Sequence, residues 1–136
     1  MRKIILASHG ELSKGLLHSA KMIIGDLAGG ITTFSLYPGE DAADYAFELR
    51  KEIEANKEDE YVVIADLFGA SVCSAMMPLT DYENVKLFTG LSLAMLLTLL
   101  TEYPGPLTES DVEELLKTGK DGIENVCLEV REEEDF

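Results

Sequence analysis

Two stretches decide the fold: Lys3-Ile4-Ile5-Leu6-Ala7-Ser8-His9-Gly10 near the start and Tyr61-Val62-Val63-Ile64-Ala65-Asp66 at mid-chain. Each is an unbroken apolar run that stops on a polar residue. A strand apolar on both sides is covered on both faces, which is the habit of parallel sheets flanked by helices. Working outward, Leu12, Leu16, Ala20, Ile23 and Ile24 recur at helical spacing, and Gly25 is placed to end that helix. Residues 31–36 are β-branched and aromatic and predict a second strand, broken by Pro38-Gly39. Asp41 can cap a helix over 42–56, with Tyr45, Leu49 and Ile53 inward.

Residues 61–65 form the third predicted strand, and Ser71 is placed to cap a helix running to about Met77. Residues 85–88 predict a short fourth strand. Residues 92–101 predict a helix so apolar that it must be buried or lie in an interface. Pro104-Gly105-Pro106 is a turn, and Thr108 or Ser110 caps an acidic helix ending near Gly119. Residues 125–130 alternate (Val126, Leu128, Val130) and predict a last strand, followed by a solvated acidic tail over 131–136. Strand and helix in alternation is the mark of an α/β, doubly wound parallel sheet. With no repeat or linker, residues 1–130 read as a single domain, and 136 residues suffice for one.

Composition narrows the function. There are 26 acidic and 11 basic residues, a net charge of −15. That excess opposes binding to nucleic acid or to an anionic membrane surface and permits a basic protein partner. The opening apolar run is too short for a signal peptide, and the stretch 87–100 is too short to span a bilayer, so the chain reads as cytoplasmic. Cys73 and Cys127 alone make neither a disulfide framework nor a four-ligand zinc site and read as small buried residues; no metal is expected. Met76, Met77 and Met95 read as core filler and His18 as a surface residue of the first helix.

In an open α/β sheet, ligands sit beyond the carboxyl ends of the strands where the strand order reverses. For the order 2-1-3-4, that point lies between the first and third strands. His9 and Asp66 stand there, on strands about 5 Å apart. A carboxylate beside an imidazole accepts its Nδ1–H, fixes the tautomer and leaves Nε2 as a nucleophile or base. Asp66 leads into Leu67-Phe68-Gly69-Ala70-Ser71 and a helix start, whose N–H groups suit an anion. Gly10 lets a bulky partner approach the ring. Together these residues describe a histidine that accepts a phosphoryl group. Ser8 and Ser71 lack the Gly-x-Ser-x-Gly elbow of a hydrolase nucleophile. Phe68, if exposed, would serve as a docking contact.

Four segments in order resemble the mannose-type IIA proteins of the phosphoenolpyruvate-dependent sugar phosphotransferase system. They are Ile4-Ile5-Leu6-Ala7-Ser8-His9-Gly10 with Leu12-Ser13-Lys14-Gly15-Leu16, then Pro38-Gly39-Glu40-Asp41, Ala65-Asp66-Leu67-Phe68-Gly69-Ala70-Ser71 and Gly90-Leu91-Ser92-Leu93-Ala94-Met95-Leu96. The resemblance implies a cytoplasmic phosphocarrier with no cofactor. It implies that His9 takes a phosphoryl group from phospho-HPr and passes it to a IIB component, which serves the membrane components IIC and IID in sugar uptake. It implies that Asp66 orients His9, and that Gly10, Gly69, Ser71 and nearby amides hold the phosphoryl oxygens. It also implies a homodimer in which residues 125–130 add to the sheet antiparallel and are exchanged between subunits. The chain departs from the family pattern at Ala70, Val72, Ser92 and Ala94, where the family has Gly, Pro, Asn and Pro.

Three rival readings are open on the sequence. The phosphocarrier subunit of a dihydroxyacetone kinase is closely related, but its opening usually reads Ser-His-Ser where this chain has Gly10. A receiver domain phosphorylated on Asp66 would need acidic magnesium ligands after the first strand, where Ser8-His9 stand. A non-catalytic binding module is opposed by the intact His9–Asp66 pair.

Overall fold

The computed structural model describes residues 1–128. Strands β1 (Arg2–His9), β2 (Thr32–Leu36), β3 (Glu60–Ala65) and β4 (Val85–Thr89) alternate with helices α1 (Leu12–Ile24), α2 (Ala42–Ala55), α3 (Ser71–Met76), α4 (Leu93–Glu102) and α5 (Glu109–Asp121). The strands form one all-parallel sheet in the order β2-β1-β3-β4. The chain therefore steps outward from β1 in both directions, and the reversal falls between β1 and β3, as expected.

The period of two along the central strands sorts their side chains onto two faces. Ile4 and Leu6 of β1 with Val62 and Ile64 of β3 face α1, α4 and α5. Ile5, Ala7, Val63 and Ala65 point the other way, onto α2 and α3. Both faces are thus dry, which is why both strands are apolar throughout. Helix α4 is apolar on several sides because it packs against α1 on one flank and α5 on another. Gly25 ends α1, and Asp41 caps α2 by accepting the Ala43 N–H at 2.9 Å. Thr108 and Asp111 form a reciprocal capping box on α5, so Thr108 rather than Ser110 is the cap. At the amino end of the sheet, Arg2 binds Glu60 at 2.8 Å and also donates to the Tyr103 and Gly105 carbonyls.

Several expectations are corrected. The inward face of α1 is Ser13, Leu16, Leu17, Ala20 and Ile24; Leu12 and Ile23 are exposed. Tyr45 faces inward as expected, half-buried against the core and stacked on Phe34 with centroids 4.3 Å apart. Ser71 does not cap α3 but begins it; Ala70 occupies the cap position with no side-chain bond. Helix α5 runs past Gly119 to Asp121. Residues 123–127 carry no regular structure, and Ile123, Val126 and Leu128 are exposed, so no strand forms over the described part of 125–130. A strand needs a neighbour for its N–H and C=O groups, and this segment has no sheet partner among the described residues. The rest of that predicted strand and the acidic tail lie outside the described residues. Cys73 is buried as expected, whereas Cys127 is exposed. No helix among the described residues is long and apolar enough to cross a membrane.

Candidate active site

Parallel register sets Ala7 beside Ala65, so the residues that follow, His9 and Asp66, emerge together at the carboxyl edge of the sheet. Asp66 Oδ2 accepts two hydrogen bonds from His9, one from the main-chain N–H and one from ring Nδ1, each at 2.9 Å. An ionised carboxylate only accepts, so Nδ1 carries a proton, and in the neutral ring Nε2 holds the lone pair. Nε2 lies 3.1 Å from Ser71 Oγ, whose hydroxyl donates to it. The two side chains differ in exposure: His9 is 47% exposed and Asp66 only 10%. The carboxylate is thus walled in while the ring opens to solvent. Burial works to raise the Asp66 pKa, but the His9 main-chain N–H, ring N–H and charge outweigh it. The carboxyl is held below its ordinary value of 3.8.

The loops around this pair are shaped by glycines. Gly69 has φ +82° and sits third in a turn closed by the Ala70 N–H on the Leu67 carbonyl at 3.2 Å. A positive φ at that position is what a type II turn demands. The turn lifts Leu67 and Phe68 outward, 62% and 79% exposed. It then delivers Ser71 to the start of α3, where the first N–H groups have no intrahelical acceptor. Gly10, at φ +55°, turns the chain from β1 into α1, and its N–H donates to the Leu36 carbonyl at 2.8 Å. Beside it, Lys14 Nζ and Tyr37 Oη lie 3.0 Å apart on the β2 side.

The structure thus brings His9, Asp66 and Ser71 into one hydrogen-bonded row, with Gly10 and Gly69 in the flanking turns. His18 is exposed, as expected. Sequence reasoning missed the local role of Ser8. Its Oγ accepts the Ser13 N–H at 2.8 Å and so serves α1, whose N-cap residue Glu11 makes no side-chain capping bond. A hydroxyl just upstream of a helix start without a good cap was the available signal. Among the described residues, no group of three His, Cys, Asp or Glu comes together as a metal site.

Comparison with known proteins gives the family. The family model described as EIIA-man, PTS system fructose IIA component, matches residues 3–116. The chain is 32% identical over 97 residues to the PTS system sorbose-specific EIIA component of Klebsiella pneumoniae, covering 71% of this chain and 70% of that one. Its fold is similar to the mannose/sorbose specific IIA subunit of the phosphotransferase system from Enterococcus faecalis. That likeness has a TM-score of 0.79 at 25% identity, over 93% of this chain and 96% of that one. It is also similar to phosphotransferase system component EIIA from Streptococcus agalactiae, with a TM-score of 0.77 at 26% identity, over 92% and 97% of the two chains. The match over most of the length, on a sheet of this order, means that the chain belongs to the mannose-type EIIA family of the sugar phosphotransferase system.

Proposed function

We infer that this chain is a cytoplasmic phosphohistidine carrier, accepting a phosphoryl group from phospho-HPr on His9 Nε2 and passing it to a IIB component for sugar uptake. The observation that carries this reading is the His9–Asp66 pair, with Nδ1 tied to the carboxylate and Nε2 turned toward Ser71. In the accepting step, the Nε2 lone pair attacks the donor's phosphorus. The donor's N–P bond breaks, and its electron pair returns to the donor imidazole. The His9 ring gains positive charge while Nδ1–H stays on Asp66, so the carboxylate stabilises the charge as it forms. Ser71 releases Nε2 and turns its hydroxyl to a phosphoryl oxygen, beside the amides near Gly10 and Gly69. Transfer to IIB runs the same exchange with its own nucleophile.

Leu67 and Phe68 supply an apolar contact beside the ring on which HPr and IIB dock in turn. The carrier works as a homodimer, with indirect association to IIC and IID. The support for a dimer is the outer edge of β4, last in the sheet, together with the exposed Ile123, Val126 and Leu128 downstream. Residues 1–130 act as the one carrier domain and 131–136 as an acidic tail.

Onward transfer is tested by loading the protein with labelled phosphate from phospho-HPr, removing the donor and adding a IIB component. Label moving to IIB is the expected result. Label held on the chain, with IIB intact and active toward another donor, would contradict the carrier role.

A further inference from the structure

Ser8 and Ser13 are the two fully buried polar residues among those described, and both lie close in sequence to His9 at the end of β1. A hydroxyl placed at zero exposure is costly unless it is bonded, and both are bonded. Ser8 Oγ accepts the Ser13 N–H at 2.8 Å and donates to the Gly10 carbonyl at 3.3 Å. Ser13 Oγ donates to the Phe34 carbonyl of β2 at 3.0 Å. The Gly10 N–H goes to the Leu36 carbonyl on the same strand. The turn at Gly10 is therefore held to β2 by its own N–H and to α1 through Ser8, while Ser13 ties α1 to β2.

We propose that Ser8 and Ser13 are positioning residues for phosphoryl acceptance, locking the main chain on both sides of His9 so that the ring meets Asp66 and Ser71 in one orientation. This rests on the carrier reading above. The row from Asp66 to Ser71 spans two hydrogen bonds, of 2.9 and 3.1 Å, with the ring between them. A ring held at both nitrogens tolerates little movement of its own main chain before one bond is lost. Ser8, directly before His9, bonds Gly10 directly after it and Ser13 at the start of α1, so its effect on the ring is transmitted through the backbone.

The test uses the full chain with 15N-labelled histidine and the variants Ser8→Ala, Ser8→Thr and Ser13→Ala, each checked for folding by circular dichroism. In the unphosphorylated wild type, the His9 ring shows separate resonances for a protonated Nδ1 and a lone-pair Nε2. In Ser8→Ala those resonances draw together. Its kcat for acceptance from phospho-HPr falls about tenfold, with KM within about twofold of wild type. Ser8→Thr, which keeps the hydroxyl, restores both. A folded Ser8→Ala with wild-type ring resonances and wild-type kcat overturns the proposal, as does a Ser8→Thr that behaves like the alanine variant. Should Ser8→Ala fail to fold, Ser13→Ala decides on the same readouts, with a smaller change in the same direction expected and no change overturning it. If the wild type accepts no phosphoryl group, the carrier reading fails, while the ring resonances still judge this proposal separately.

Discussion

One oxygen of Asp66, Oδ2, accepts both the main-chain N–H and the ring Nδ1–H of His9, each at 2.9 Å. The same atom therefore fixes where the histidine sits and which ring nitrogen is free. Asp66→Ala removes both bonds at once. The expected result is a folded protein whose acceptance from phospho-HPr is slowed about a hundredfold, followed by rapid-quench kinetics. A wild-type rate would strip Asp66 of its supporting role and leave His9 as the acceptor.

The same bonds make a prediction about pH. Asp66 is held below its ordinary value because the His9 donors outweigh burial. A carboxyl whose folded pKa is depressed contributes stability that is fully present above the unfolded pKa, about 3.9. That contribution is lost as the pH falls through the folded pKa. Asp66→Asn should therefore lose less stability than the wild type between about pH 5 and pH 2, read from denaturant midpoints. An equal loss in both proteins would show that Asp66 does not titrate below its usual range.

Phe68 is 79% exposed on a turn beside the ring, so it contributes little to the core. Phe68→Ser should leave the thermal midpoint within about 1 °C while raising KM for phospho-HPr about tenfold, the effect of losing one aromatic anchor. A KM equal to that of the wild type would remove Phe68 from the docking face.

Two glycines should respond in opposite ways. Gly69 holds φ +82° with open space where a methyl group would stand, so Gly69→Ala is opposed by backbone strain alone, about 1 kcal/mol. Gly15 lies inside α1 with equally open space, so Gly15→Ala should stabilise by about 0.5–1 kcal/mol. Chemical unfolding measures both. Equal effects of the same sign would mean that the Gly69 turn is not strained as described.

Much of this is legible in the sequence because local and global signals agree. Runs apolar on both sides, as in Ile4–Ala7 and Tyr61–Ala65, have only one comfortable place, between two helical layers, and that sets the strand order and puts His9 near Asp66. What stays hidden is tertiary. Ser13 is polar and so reads as surface, yet its hydroxyl finds the Phe34 carbonyl and it faces inward, while Leu12 is turned out. Ser71 reads as a cap, but its hydroxyl is taken up by His9 across 62 residues of sequence. The alternation at Val126 and Leu128 carries no information about a pairing partner, and the described chain offers that segment none.

Whether His9 accepts the phosphoryl group is decided by the intact mass after incubation with phosphoenolpyruvate, enzyme I and HPr, for the wild type and for His9→Ala. His9 lies at the carboxyl end of β1 with its side chain 47% exposed, so the variant keeps the fold. One acid-labile phosphoryl adduct is expected on the wild type and none on His9→Ala. An adduct of equal extent on both proteins, or none on the wild type while HPr itself is phosphorylated, would contradict His9 as the acceptor.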